Sequence, residues 1–71
     1  MSPIRLGVIG LRGMGGGHVR AVSKHPDARL LAVAEIDASL AETVAGRHDA
    51  RAYTDYHRML EEQPLDGGII A

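Results

Sequence analysis

Residues 4–15 read IRLGVIGLRGMG, and this stretch decides the fold. Ile4 to Ile9 is a short aliphatic run closed by Gly10, which reads as a β-strand. Residues 12–17 then carry four glycines, a turn with unusual backbone freedom. The pattern approaches G-x-G-x-x-G, the glycine turn between a strand and a helix that cradles a dinucleotide pyrophosphate. Gly10 and Gly15 hold its first and third places. The first glycine permits the tight turn, and the third lets helix and strand pack closely. Arg12 stands in the second place, with the glycine displaced to Gly13. An arginine there can crowd the pyrophosphate, or fold outward and add a charge-assisted contact to it.

Working outward, residues 14–25 fit a helix ended by Pro26 and Asp27, and residues 29–34 (RLLAVA) form a second strand. The N-terminus of the first helix offers free N–H groups and a positive dipole end to phosphates. Glu35 closes the second strand, 20 residues after Gly15. A carboxylate there can accept hydrogen bonds from both ribose hydroxyls of adenosine. A 2′-phosphate would meet a like charge, and Ile36 and Asp37 supply no cation, so NAD is favoured over NADP. Arg12 is the one residue able to blur that preference. The bland alternative for Glu35 is a solvated loop acid.

Asp37 is a plausible N-cap for a helix over 38–47, in which Leu40, Ala41, Val44 and Ala45 form one stripe. Residues 51–53 make a short extended piece. Thr54 can cap a helix over 55–62 whose Tyr56, Met59 and Leu60 share a face. Residues 67–71 (GGIIA) read as a further strand. Strands alternating with helices imply a parallel sheet, an α/β Rossmann-type βαβαβ half-fold. Three main strands, 4–9, 29–34 and 67–71, are expected in spatial order 3-2-1. Two right-handed crossovers in one direction place both helices on one face. That arrangement leaves strand one at an edge and the second apolar face uncovered. The sequence therefore reads as part of a larger protein, a partial dinucleotide-binding domain over residues 1–71 with the substrate domain elsewhere. The alternative is a small domain that dimerises over the bare face.

Composition excludes several classes. The chain has 71 residues, 45% hydrophobic and 24% charged, with net charge −1, which is globular and gives no basic footprint for nucleic acid. Tyr53 and Tyr56 are the only aromatics, too few for a base-stacking platform, and read as packing residues. No apolar run approaches a membrane span, and the N-terminal apolar stretch ends at Gly10 without a cleavage-type segment. The absence of cysteine excludes disulfides and thiolate metal sites and fits a reducing cytoplasm. His18, His25, His48 and His57 lack metal-type spacing, and Glu61-Glu62 reads as a solvated helix end. No nucleophile motif or acid/base dyad occurs, so the chain alone is expected to be inactive, and the edge strand and bare apolar face predict a poor monomer.

The stretches IRLGVIGLRGMGGGHVRAV (4–22), LLAVAEID (30–37), AYTDYHRML (52–60) and LDGGIIA (65–71) together resemble the start of the glucose–fructose oxidoreductase, inositol dehydrogenase and MocA family (Gfo/Idh/MocA). The resemblance spans essentially the whole chain, in order. It implies an NAD(P)-binding Rossmann domain followed by an α/β domain that carries the substrate site and oligomer contacts. Hydride transfer between NAD and a sugar or polyol is the implied activity, in a homo-oligomer. Carried over, Gly10, Arg12, Gly13 and Met14 lie on the pyrophosphate, Glu35 and Ile36 at the adenine ribose and adenine, and Ala71 where the last strand meets the cofactor. Arg12 departs from the family's second glycine, and Glu35 from its more frequent Asp. The family's Glu-Lys-Pro segment and catalytic Asp and His have no counterpart in these residues. Two other readings stay open: a nucleotide-binding or regulatory module without catalysis, and a fold binding S-adenosylmethionine. The latter commonly carries an acid in or near strand one, and residues 4–9 have none.

Overall fold

The computed structural model describes residues 3–12 and 15–70. Seven elements follow in order: β1 (Ile4–Ile9), α1 (Gly15–Lys24), β2 (Ala28–Ala34), α2 (Ala38–Arg47), β3 (Arg51–Tyr53), α3 (Tyr56–Glu62) and β4 (Gly67–Ile70). All pairings are parallel, in the order β3-β2-β1-β4. The expected parallel α/β architecture is present. The place expected for the strand at 67–71, beside β2, belongs instead to the extended piece at 51–53. Residues 67–70 pair with β1 on its far side, Leu6 opposite Gly67 and Ile9 opposite Ile70. β1 is thus interior, and β3 and β4 form the edges.

The handedness of the crossovers explains the second face. The steps β1-α1-β2 and β2-α2-β3 move one way and put α1 and α2 on one side. The step β3-α3-β4 runs back past β2 and β1, so its helix lies on the opposite side. The face expected to be bare is therefore covered in part by α3.

A β-bulge sets which residues face which layer. Leu6 pairs with Leu30 but Gly7 pairs with Ala32, so Leu31 is the extra residue of β2. Leu30 and Val33 consequently share a side, with Val8, Leu11, Val19, Val22 and Ala45. Ala32 and Ala34 point the other way and pack with Tyr53 and Met59. The α2 stripe forms as expected, Ala41 and Ala45 buried, Leu40 and Val44 half-buried. On α3 only Met59 is buried, while Tyr56 and Leu60 are exposed, so the expected shared face is reduced to one residue. The helix sits close over Gly7. A Cβ built on Gly7 would lie 2.9 Å from Leu65 Cδ1 and 3.1 Å from Met59 Cε.

Polar contacts fix the ends. Asp37 caps α2 as expected, its Oδ1 accepting from Leu40 N. The cap of α3 is Asp55 rather than Thr54, its Oδ1 accepting from His57 N at 2.9 Å. The charged acceptor one position nearer the helix takes the role. Asp66 accepts from Arg5 N at 2.7 Å and pairs with the Arg5 guanidinium at 3.2 Å, pinning the start of β4 to β1. Tyr53 Oη donates to Glu62 Oε1 and accepts from Gln63 Nε2, tying β3 to the end of α3. Among the described residues, no helix is long and apolar enough to cross a membrane.

Candidate functional site

In a parallel sheet the strands carry their loops at their C-terminal ends, and ligands bind in the crevice outside them. Here β1 runs into Gly10, β2 into Glu35 and β3 into Thr54. Gly10 has φ 85°, a left-handed conformation that side chains with a Cβ resist. Its N–H donates to Ala34 O at 2.8 Å, which carries the β1–β2 pairing one residue past Ile9. Leu11 then drops into the core, and Arg12 emerges into solvent.

Glu35 is buried at 9% exposure, and is the one charged residue in the core among the described residues. Its Oε1 accepts from Leu11 N at 3.1 Å and its Oε2 from Asp37 N at 2.7 Å. The carboxylate therefore clamps the glycine turn to the turn before α2. Those two N–H groups, Asp37 first and Leu11 second, hold its pKa below the usual carboxylate range, and the nearby Arg12 charge adds to this. The solvated-acid alternative does not hold. A carboxylate has about four acceptor positions, so Glu35 can still receive ribose hydroxyls while keeping both backbone bonds.

Beside it lies an open cleft of about 320 Å³, lined by Ile9, Gly10, Ala34, Glu35, Ile36, Thr54 and Tyr56. Its walls are mostly apolar, and Ile36 stands 90% exposed at the mouth. A flat base could lie against Ile36 while its sugar meets Glu35, so the donors and walls fit an adenosine. A second opening adjoins it, lined by Arg12, Glu35, Ile36 and Asp37. There Arg12 Nη2 donates to Asp37 Oδ2 at 2.9 Å.

Gly10, Arg12, Glu35 and Ile36 thus converge on one edge, as their positions in the sequence suggested. Gly15 is the first residue of α1. Gly13, Met14 and Ala71 lie outside the described residues. Three participants were not singled out for the site: Asp37 as a partner of Arg12, and Thr54 and Tyr56 as cleft wall. Tyr56, read as a packing residue, is 44% exposed in that wall. The available signal for Thr54 and Tyr56 was position, just beyond the C-terminal end of the third strand in the sheet.

Residues 4–71 match the family described as oxidoreductase family, NAD-binding Rossmann fold (GFO_IDH_MocA). Inositol 2-dehydrogenase from Rubrobacter xylanophilus is 36% identical over 69 residues, covering 96% of this chain and 20% of that protein. The myo-inositol dehydrogenase of Lactobacillus casei, solved in complex with NAD(H) and myo-inositol, superposes with a TM-score of 0.85 at 26% identity. The match covers 97% of this chain and 21% of that one. KijD10, a 3-ketoreductase from Actinomadura kijaniata solved with NADP, gives a TM-score of 0.84 at 25% identity, over 94% of this chain and 22% of that one. The chain spans about a fifth of the length of these relatives. The family match runs through the strands and helices described above, and the chain belongs to the Gfo/Idh/MocA oxidoreductase family as its NAD-binding Rossmann part.

Proposed function

We propose that this chain holds the ADP half of NAD(H) along the C-terminal edge of its sheet. Gly10, Arg12, Gly13, Met14 and Gly15 form the pyrophosphate turn, Glu35 receives the adenosine ribose, Ile36 flanks the adenine, and Ala71 meets the cofactor at the end of β4. The observation that carries the reading is Glu35. It is a buried, ionised carboxylate at the mouth of an apolar cleft, and it is bonded to the glycine turn itself. Bound NAD supplies a hydride acceptor. The residues of this chain bind and orient it, and the proton-transfer group belongs to a substrate domain outside residues 1–71.

The full-length protein is proposed to move hydride between NAD and a sugar, polyol or related alcohol, as a homo-oligomer. Support comes from a relative that is an inositol 2-dehydrogenase and a structural neighbour bound to myo-inositol. A cytoplasmic setting is part of the same proposal.

The test is a fluorescence titration of the full-length protein with NADH and NADPH. NADH is expected to bind more tightly, and Glu35→Ala to weaken it about ten- to hundredfold, the scale of losing hydrogen bonds to a charged group. Binding of neither dinucleotide would overturn the reading.

A further inference from the structure

We propose that Asp37 is a specificity-determining residue of the dinucleotide site, and that it acts by holding Arg12. This rests on reading the cleft beside Glu35 as the adenosine site. The observation is the ring of bonds at the adjoining opening. Arg12, Glu35, Ile36 and Asp37 line that opening together. A ribose held by Glu35 would bring its 2′ position next to this opening, because Glu35 lines both it and the cleft. The opening then presents two carboxylates and one guanidinium. A 2′-phosphate, carrying close to two negative charges, meets a net negative environment there.

Arg12 alone would reverse this preference. Its planar fork of N–H donors matches phosphate oxygens, and it stands on the glycine turn within reach of the opening. In the structure Nη2 of that fork is given to Asp37 Oδ2. Asp37 is itself fixed, because its Oδ1 caps α2 at Leu40 N and its own N–H is bonded to Glu35 Oε2. The arginine is therefore parked on a rigid carboxylate. The pair is open to solvent, its side chains 74% and 39% exposed, so it exchanges partners readily once the carboxylate is removed. Cofactor choice depends on the pair, and not on Glu35 alone.

The experiment is calorimetric titration of the full-length protein with NADH and with NADPH. The variants are Asp37→Ser, Asp37→Asn, Arg12→Ala and the double variant Arg12→Ala/Asp37→Ser. Serine and asparagine are good N-caps, so α2 keeps its start, and circular dichroism melts report whether the fold is retained. Each Asp37 variant is expected to shift the ratio of NADPH to NADH affinity toward NADPH by about tenfold, the scale of one weak ion pair plus one nearby like charge. In the double variant most of that gain is expected to vanish, because the phosphate's partner is gone. A loss of cap structure would lower both affinities together and leave the ratio in place. An unchanged ratio in both folded Asp37 variants overturns the proposal, and so does a gain that persists in full without Arg12. If the unsubstituted protein binds neither dinucleotide, the reading of the cleft falls first, and this inference with it.

Discussion

On the face covered by α1 and α2, Val8, Val19, Val22, Leu30 and Val33 interlock as branched side chains from three elements. On the face covered by α3, the sheet presents Gly7, Ala32 and Ala34, and Met59, flanked by Tyr53 and Leu65, fills the space above them. Both solutions bury the sheet, but they distribute the load differently. The first spreads it over many contacts, so that losing one leaves the others. The second concentrates it in one fully buried, flexible residue, which shares with Leu65 the space over a glycine.

The largest effect expected from this contrast is at Met59, which is fully buried. Met59→Ala should destabilise by about 2–5 kcal/mol, through lost transfer free energy and the cavity left behind. Val22→Ala on the opposite face removes two methyl groups and should cost nearer ~1.5 kcal/mol. Amide exchange at β1 and β2 in the full-length protein measures both. Equal costs would break the comparison, since they would mean the α3 side collapses onto the gap as easily as the other side repacks.

A smaller effect is expected at Gly7 and sharpens the same point. Ala there brings a Cβ into the ends of Leu65 and Met59. Those ends can swing away, so the cost should stay near ~1 kcal/mol, the low end for an overpacked core. With Met59 shortened to Ala the same substitution should cost less, because its contact with Met59 is gone and the Leu65 side chain gains space to move into. An additive double variant would show that the strain at Gly7 lies in the backbone.

This difference between the faces also explains what could be read from the sequence. Leu40, Ala41, Val44 and Ala45 announce the first face, because bulky residues at helical spacing leave a period to count. Gly7, Ala32 and Ala34 leave no such period. The second face was legible as apolar, but with β3 left out of the strand order the crossovers ran one way only, and no helix remained to cover it. β3 was legible as an extended piece but has three residues, too few for alternation to distinguish a sheet strand from a loop. Once β3 holds the place beside β2, residues 67–70 have to pair with β1. At the site, Gly10 and Glu35 were legible because their chemistry depends on local backbone and on chain spacing. The partner of Arg12 was not, because Asp37 lies 25 positions away and only the clamp formed by Glu35 brings the two turns together.

The smallest effect should come from acid, and it bears on how α3 and β4 are tethered. Asp66 is held below the usual carboxylate range by the Arg5 side chain and then by the Arg5 backbone N–H. Glu62 is held low by Arg58 and then by the Tyr53 hydroxyl. A carboxylate whose pKa is lower folded than unfolded contributes stability that is complete above the unfolded value. That stability is lost as pH falls through the folded one. Melting temperature should therefore stay level from neutral pH down to about 5 and decline below about 4, where these groups take up protons. Asp66→Asn should lower the neutral plateau slightly and make the acid decline shallower, since one of the titrating contacts is already gone. The side chains of Arg5 and Asp66 are nearly half exposed, so raising the salt should shrink the difference between variant and parent. On the α1 and α2 side the packing is apolar, and Val22→Ala should leave the acid slope as it was. If Asp66→Asn instead keeps the parent's slope, the return crossover is held by the backbone bond from Asp66 N to Arg5 O and by the strand pairing. The charge would then not be the tether, and the two faces would differ in packing alone.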